Sequence, residues 1–327
     1  MFLQQRLPHE RQASQNTSDS YAYAFLLLFA FASKQYKVSP SALLLEQIDA
    51  PLVMAFLEHL EKERNNSPRT RNARLAAVKS FMRFIEYRVP SALDQVRRIM
   101  AIPVKKTDVP LVNYLTQSEI QALLDAPDEN TLDGIRDRAM LHVAYAGGLR
   151  VSELVGLRME DLSFEPRLII RVRGKGRKER ALPLWKETGR ALRAWLAIRE
   201  KAAVPEVFLN SRGQHITRSG FSYILKKYVM TAIQRSPCLA KKRVSPHVLR
   251  HTCAMIMLQA THDIRKVSIW LGHATLQSTE VYVQADPNEK LEAIEAITPP
   301  LFRKGRFQPP DRLIALFRNG GTLCSVR

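Results

Sequence analysis

Four side chains near the C-terminal end of the chain are of the types that chemistry at phosphorus requires. His247 and Arg250 are separated by two residues, His273 follows a Leu-Gly pair, and Tyr282 comes shortly after. An arginine offers a planar fork of donors to phosphate oxygens, imidazoles move or donate protons, and a phenol can attack phosphorus to form an ester. The set predicts that a tyrosine hydroxyl, with neither metal nor water as reagent, breaks a DNA strand.

Two further cations lie upstream, at predicted junctions between elements. Arg150 follows Gly147-Gly148, a natural helix stop, and begins a short helical pattern where backbone N–H groups favour an anion. Lys175 lies between two glycines, and strand-like runs at 168–173 and 178–184 flank it. The sequence therefore predicts a basic β-hairpin with Lys175 at its tip.

The charge of the chain favours a polyanionic partner. Among its 327 residues, Lys and Arg total 50 against 31 Asp and Glu, for a net charge of +19, while 46% of residues are hydrophobic. The apolar runs are shorter than the ~18 residues that a membrane-spanning helix needs. Nucleic acid is therefore favoured over a membrane.

One apolar run, from Tyr21 to Ala32, ends in Ala-Phe-Ala and could imitate an export signal. The segment of 20 residues before it is longer than the usual leading region of an export signal and is mixed in charge. The aromatic residues of the run favour a buried helix instead. The three cysteines have no metal-type spacing and are interpreted as reduced thiols. We expect a bacterial protein in the cytoplasm, associated with the nucleoid.

Capping residues and apolar periodicity divide the chain into two domains. Predicted helices start at residues 16–18, at Asp49 and at Ser67, and a capping box over 116–119 begins another after a linker with prolines and lysines. We expect a mainly α-helical fold with a small antiparallel β-sheet or hairpin in the second domain. The expected parts are a flexible N-terminus at 1–15, a helical domain at 16–104, a linker at 105–112, a second domain at 113–297 and a basic, proline-containing tail at 298–327.

The helix that starts at Ser67 is basic. On an isolated helix such residues are explained as well by a solvated face, but the charge of the whole chain favours contact with DNA. The basic hairpin has a similar ambiguity, since it could simply bind backbone phosphate. The predicted DNA-contacting residues are Arg69, Arg71, Arg74, Lys79, Arg173, Arg177, Lys178, Lys241, Lys242 and Arg243.

The order of these groups resembles a known active-site series. Residues Arg150, Lys175, His247, Arg250, His273 and Tyr282, taken in sequence, resemble the catalytic residues of the tyrosine recombinases, the phage-integrase-like family. Residues 146–154 (Ala-Gly-Gly-Leu-Arg-Val-Ser-Glu-Leu) resemble the family's first arginine box, and 245–252 (Ser-Pro-His-Val-Leu-Arg-His-Thr) resemble its second. The similarity covers nearly the whole chain, because 16–104 resembles the helical core-binding domain and 113–297 the catalytic domain.

The resemblance implies a role for each cation and for the phenol. Tyr282 would be the nucleophile, forming a 3′-phosphotyrosyl bond and freeing a 5′ hydroxyl. Arg150 and Arg250 would clamp the non-bridging oxygens, because attack builds negative charge there and fixed cations stabilise that charge more than the ground state. Lys175 would act as the general acid that protonates the leaving 5′ oxygen.

The remaining matched residues would move protons or orient their neighbours. His247 would take or shuttle the tyrosine proton, and His273 would donate a hydrogen bond to a non-bridging oxygen. Glu153 would orient a neighbouring cation, and His251 would support the reacting groups. His247 and His251 are spaced like zinc ligands on a helix, but the glutamate of a His-Glu-x-x-His motif is missing and Arg250 lies between them. We expect no metal and no other cofactor.

The family resemblance implies a site-specific DNA recombinase, serving integration, excision or transposition of a mobile element. Its expected DNA partner is double-stranded DNA with specific recombination sites. Its expected protein partners are further subunits, either copies of this chain or related recombinases, which together form a tetramer on DNA. Two alternatives remain: a type IB topoisomerase-like enzyme that nicks and closes DNA, and a DNA-binding regulator that has lost cleavage. The presence of every catalytic residue type argues against the regulator.

Overall fold

The chain divides into two compact units, which meet in sequence at residues 110 and 111. The computed structural model describes residues 2–10, 12–108, 112–174, 179–199, 204–273 and 275–285. In these stretches most residues are helical and three strands form one antiparallel sheet, which confirms the predicted mainly α class. None of the helices in the described stretches has the length and apolar character needed to cross a membrane.

The N-terminal unit is built from helices that begin at the predicted capping residues. The Asp49 carboxylate accepts the Leu52 N–H (2.8 Å), and the Ser67 hydroxyl accepts the Thr70 N–H (3.3 Å). A proline lies in the first turn of each of these two helices. The helices are α1 (Gln15–Tyr36), α2 (Ala50–Lys62), α3 (Pro68–Ile85) and α4 (Leu93–Ala101), with short 3₁₀ turns at Pro40–Ala42, Leu45–Gln47 and Pro90–Ala92.

The apolar run in α1 contributes to the core of this unit. Phe25 and Leu28 are buried against the apolar faces of α2 and α3, which confirms the interpretation of this run as a buried helix. Tyr23 differs, since 46% of it is exposed and the guanidinium of Arg74 lies 4.9 Å from its ring centre. Arg74 also donates to the Ser20 carbonyl (3.1 Å), so this predicted DNA contact is engaged within the unit.

The expected flexible N-terminus is wrong for residues 2–10. Phe2–Glu10 form a short π-helix, and Phe2 packs edge-on against Phe25 and Phe81 at ring distances of 5.9 and 5.4 Å. Leu7 is also buried in the core. Two apolar side chains in a polar stretch are enough to anchor it, because each removes a large hydrophobic surface from water.

The C-terminal unit combines the small sheet with further helices. Its first helix has the predicted capping box, in which Thr116 Oγ1 accepts the Glu119 N–H (3.3 Å) and Glu119 accepts the Thr116 N–H (2.7 Å). The elements are α5 (Gln117–Leu124), α6 (Leu132–Ala146), α7 (Val151–Val155), β1 (Leu162–Ser163), β2 (Ile169–Arg173), β3 (Glu179–Pro183), α8 (Lys186–Ile198), α9 (Arg218–Ile233), α10 (Pro246–Thr261), α11 (Ile264–Leu271) and α12 (Gln277–Ala285), with 3₁₀ turns at Met159–Asp161 and Pro237–Lys241.

The sheet has the order β1-β2-β3, and its register turns one arginine inward. Ile170 lies opposite Leu182, and Val172 lies opposite Arg180. Because side chains alternate between the two faces of a strand, Arg180 shares the inner face of β3 with buried Leu182. An arginine on a buried face needs an acidic partner, and its partner is described with the site below.

The basic helix α3 directs two of its cations at the end of α4. Arg71 is buried and its Nη1 donates to the Pro103 carbonyl (2.9 Å). Lys79 Nζ donates to the carbonyls of Met100 (2.8 Å) and Ile102 (2.6 Å). These predicted DNA contacts therefore hold a chain segment within their own unit, where unsatisfied carbonyls at a helix end require donors.

Replacing Lys79 with methionine is expected to lower the free energy of unfolding by about 1–3 kcal/mol, because two carbonyl oxygens lose a charged donor. Urea unfolding followed by circular dichroism measures this. Lys62→Met is the matched control, since Lys62 is exposed and pairs with Glu58 at the surface (2.6 Å). A control variant as destabilised as Lys79→Met would contradict the assigned role of Lys79.

Candidate active site

Helix α10 carries three of the predicted site residues and buries one of them. Its helical spacing brings His247 and Arg250 to the same side. Only 4% of Arg250 is exposed, and its guanidinium donates from Nη1 to the Gly148 carbonyl (2.6 Å) and from Nη2 to the Leu271 carbonyl (2.8 Å). Arg250 thus connects the turn after α6 to the end of α11.

The turn after α6 depends on a glycine. Helix α6 ends before Gly147 and Gly148, as predicted, and Gly148 has a φ of +54°. A Cβ on Gly148 would lie 2.7 Å from Leu271 and 3.1 Å from the Cys253 sulfur, so a side chain does not fit there. This close approach sets the direction in which the chain enters Arg150 and α7.

The carboxylate of Glu153 is the point at which the arginines meet. Its oxygens accept from the backbone N–H of Arg150 (2.9 Å), from Arg150 Nη1 (2.8 Å) and from both Nη atoms of Arg180 (3.2 and 2.8 Å). Arg250 Nη1 lies 3.9 Å from the same carboxylate. Three guanidinium groups therefore surround one buried carboxylate, and the pocket has a net positive charge.

The charges of the cluster are set by two opposing effects. Burial raises the pKa of Glu153, but hydrogen bonds from Arg180 and from the Arg150 backbone outweigh it, and the net pKa lies below the usual range. Burial, followed by the charge of Arg150, lowers the pKa of Arg250 to about 10. Both groups are thus ionised at neutral pH. The sequence predicted that the start of α7 favours an anion, and the Glu153 carboxylate is an anion at that position.

Tyr282 lies in α12 with its phenol inside the protein. Only 2% of the residue is exposed, because it packs in an apolar cluster that includes Met255 and Leu271. Its Oη is 2.9 Å from Nδ1 of His251. Burial raises the pKa of Tyr282 to about 12, although the nearby Arg250 and Arg150 oppose this rise. The phenol is therefore protonated at neutral pH and hydrogen-bonded to an imidazole.

His273 is held beside the phenol by the turn between α11 and α12. Gly272 ends α11 with a φ of +64°, His273 Nδ1 lies 2.8 Å from Thr279 Oγ1, and its ring is nearly parallel to that of Tyr282 at 6.4 Å. Burial, followed by the charges of Arg250, Arg150 and Arg180, lowers the pKa of His273 to about 4. The imidazole is neutral at neutral pH.

The two histidines of α10 occupy different environments. His251 is partly buried and contacts Tyr282, whereas His247 is exposed with its ring centre 6.5 Å from that of His251. Burial, followed by the charges of His247 and Arg250, lowers the pKa of His251 to about 4. The sequence assigned the tyrosine proton to His247, but the phenol's hydrogen-bond partner is His251. Within the described residues, no group of three or more His, Cys, Asp or Glu is arranged to hold a metal ion.

Arg180 was not among the site residues predicted from the sequence. Lys175, Arg177 and Lys178 lie outside the described residues, although β2 and β3 on either side match the predicted strands. Strand alternation was the signal that could have identified Arg180, because it places this residue on the same face as Leu182.

The predicted DNA contacts of the C-terminal unit divide into exposed and internally bonded groups. Lys241 and Arg243 are exposed, as is Arg69 in the N-terminal unit. Arg173 is half exposed and lies 3.2 Å from Glu160. These residues remain candidates for contact with phosphate.

Lys242, in contrast, bonds to residues at the beginning of the C-terminal unit. Its Nζ lies 2.6 Å from the Glu119 carboxylate and donates to the Tyr114 carbonyl (3.0 Å). The next N–H, that of Leu115, donates to Thr252 Oγ1 on α10 (2.9 Å). This segment therefore steadies the helix that carries Arg250.

Comparison with known proteins identifies the family. Residues 113–289 match the model of the phage integrase family, and residues 2–88 match the phage integrase N-terminal SAM-like domain. The putative integrase/recombinase y4rC of Sinorhizobium fredii is 42% identical over 318 residues, which cover 97% of this chain and 96% of the relative. The chain belongs to the phage integrase family of tyrosine recombinases. Tyrosine recombinase XerC of Pelobacter propionicus is 33% identical over 306 residues, covering 93% of this recombinase and 95% of the relative.

Solved structures share the fold of this recombinase. The XerH site-specific recombinase bound to its palindromic difH substrate, in a post-cleavage complex, matches with a TM-score of 0.69 at 22% identity, over 88% of this chain and 81% of that one. The Tn1549 transposon integrase in complex with transposon right-end DNA matches with a TM-score of 0.65 at 18% identity, over 89% of this chain and 96% of that one.

Protonation of the buried histidines is expected to destabilise the recombinase. The pKa of His273 in the folded state is about 4 against 6.5 for the ordinary group, so its contribution is complete above pH 6.5 and is lost as the pH falls toward 4. His273→Gln should remove about 1–3 kcal/mol of the loss in unfolding free energy between pH 7 and pH 4. Urea unfolding at both pH values measures this difference.

The matched control for this comparison is His215→Gln, at an exposed histidine. It should retain the wild-type pH dependence. If His273→Gln loses as much stability on acidification as the wild-type protein does, then His273 is not held neutral by the site.

Proposed function

We propose that this tyrosine recombinase cleaves and rejoins DNA through a transient 3′-phosphotyrosyl bond at Tyr282. The observation that supports it is the convergence of a phenol, two neutral imidazoles and three guanidinium groups from separate elements. The phenolic oxygen forms a bond to phosphorus while the bond from phosphorus to the 5′ oxygen breaks. Because the new ester conserves the energy of the broken one, a 5′ hydroxyl can reverse the step and rejoin the strand.

The phenolic proton passes to His251 in this proposal, since its Nδ1 is already 2.9 Å from the phenol. His247 lies next to it on the exposed side and carries the proton onward. Lys175, which lies between β2 and β3 in the sequence, gives a proton to the leaving 5′ oxygen. The two proton transfers thus occur at opposite ends of the reacting phosphate, and neither involves a metal or another cofactor.

The charge that develops on the non-bridging oxygens is stabilised by Arg150, Arg250 and His273. Arg150 has 34% of its side chain exposed and is the more accessible of the two arginines. Arg250 adds a buried positive charge. When Thr279 donates to Nδ1 of His273, the proton of this neutral imidazole is on Nε2, which can donate to an oxygen of the phosphate. Fixed donors of this kind favour the transition state over the ground state.

The nucleophile must become accessible before it reacts. With 2% of its surface exposed, Tyr282 cannot meet a phosphate where it lies. We infer that binding of DNA withdraws the phenol from its apolar surroundings and aligns it with the phosphate, while His251 stays within hydrogen-bonding reach. The positive pocket assists this movement, because the guanidinium groups near the phenol also attract a phosphate.

The proposed partner is double-stranded DNA with specific recombination sites, acted on by a tetramer of this chain or of this chain with related recombinases. Two observations support it: the net charge of +19, and the DNA bound in structures with the same fold, which is a difH substrate in one and transposon right-end DNA in the other. Movement of a mobile element is the favoured purpose, since relatives over most of the chain are named putative integrase/recombinase.

The test uses a duplex that carries the recombination site, recovered by sequencing DNA bound to the protein, with a nick near the cleavage point. The wild-type recombinase should accumulate a covalent protein–DNA adduct, and Tyr282→Phe should form none, because it lacks the attacking oxygen. Denaturing gels measure the adduct. Tyr228→Phe is the matched control at another buried tyrosine, and it should still form the adduct.

An adduct that persists in Tyr282→Phe would exclude Tyr282 as the nucleophile. No adduct with any bound DNA would favour the regulator that does not cleave. A plasmid with two sites separates the remaining alternatives, because a recombinase yields exchanged products and a topoisomerase-like enzyme only relaxed circles.

A further inference from the structure

Arg180 has no part in the chemistry proposed above, yet it makes more contacts with Glu153 than either clamp arginine does through its side chain. Both of its Nη atoms donate to the two carboxylate oxygens, at 3.2 and 2.8 Å. Paired donation of this kind fixes a carboxylate in position and in orientation. Glu153 in turn holds Arg150 through the backbone N–H and Nη1.

The same guanidinium rests on the turn that carries His273. A Cβ added to Gly272 would lie 3.0 Å from Arg180 Nη1 and 3.2 Å from Arg180 Cδ. The absence of a side chain at Gly272 therefore provides the space that Arg180 occupies. Gly272 precedes His273 directly and has a φ of +64°. Arg180 therefore touches two parts of the site at once, Glu153 in α7 and the turn between α11 and α12.

Arg180 is also fixed to the sheet, because it lies in β3. Val172 in β2 lies opposite Arg180 in β3, and the side chain points to the buried face of the sheet. The charged side chain of Arg180 thus connects the sheet to Glu153. No other described side chain bonds to Glu153 from the sheet.

We propose that Arg180 is a positioning residue, which sets the Glu153 carboxylate and the His273 turn so that Arg150 and His273 face one phosphate. The proposal rests on the function proposed above. Without Arg180, Glu153 keeps its charge but loses two of its donors. Arg150 and Arg250 are then the remaining cations near the carboxylate, and both are drawn toward it and away from phosphate.

The experiment compares Arg180→Met with Arg180→Lys and with Arg190→Met, an exposed arginine on α8. With the nicked duplex, Arg180→Met should form the covalent adduct about 10–100-fold more slowly, an effect of the size seen when residues that orient metal ligands are lost. Its affinity for DNA should stay within about threefold of wild type, because many phosphate contacts share the affinity. Arg190→Met should leave the rate unchanged, and Arg180→Lys should restore part of it.

A second measurement reports on the site in the free protein, without DNA. The pKa of His273, followed by NMR, should rise in Arg180→Met, because a cation is removed from its vicinity, and return toward the wild-type pKa in Arg180→Lys. A merely structural residue on the sheet would not change this pKa. The measurement remains valid if the wild-type protein forms no adduct, so failure of the proposed function and failure of the role of Arg180 are distinguishable.

The proposal is overturned if folded Arg180→Met forms the adduct within about twofold of the wild-type rate, or if the pKa of His273 is the same in both proteins. If Arg180→Met does not fold, Arg180→Lys decides. Lysine keeps the charge but not the paired geometry, so the adduct should form several-fold more slowly while the pKa of His273 stays near its wild-type value. An unchanged rate in Arg180→Lys would then overturn the proposal.

Discussion

The site depends on one carboxylate that keeps three like charges together. Arg150, Arg180 and Arg250 would repel one another in a partly buried pocket, and Glu153 is the anion that all three approach within 4 Å. These arginines come from the start of α7, from β3 and from α10. The ion cluster therefore fixes how the start of α7, the sheet and α10 are arranged. It also leaves a net positive charge, which is what an incoming phosphate requires.

The second constraint is the burial of Tyr282, the proposed nucleophile. Burial raises the pKa of Tyr282, and its phenol is hydrogen-bonded to His251 and screened from solvent. The attacking group and the anion site thus exist side by side but are not yet aligned. In the proposed reaction DNA supplies the missing anion, and the energy of binding it is used to move the phenol into reach.

Local signals predicted much of the molecule, and contacts distant in sequence explain the rest. Capping by Asp49, Ser67 and Thr116 and the stop at Gly147 depend on neighbouring residues, so the sequence alone revealed them. Pairs such as Arg180 with Glu153 and His251 with Tyr282 depend on how separate elements pack. Basic residues showed the same limit. Lys79 and Lys242 bind carbonyls, whereas Arg69 on the same helix as Lys79, and Lys241 next to Lys242 in the sequence, are exposed.

The central claim, that Glu153 holds the arginines together by its charge, is tested most directly by the thermal unfolding of Glu153→Gln in chloride and in sulfate at equal ionic strength. Glutamine has a similar shape but no charge. The variant should unfold at a lower temperature than the wild-type protein in chloride, and sulfate should stabilise the variant more, because an anion replaces the lost carboxylate. Equal unfolding temperatures in chloride, with an equal effect of sulfate on both proteins, would contradict the account.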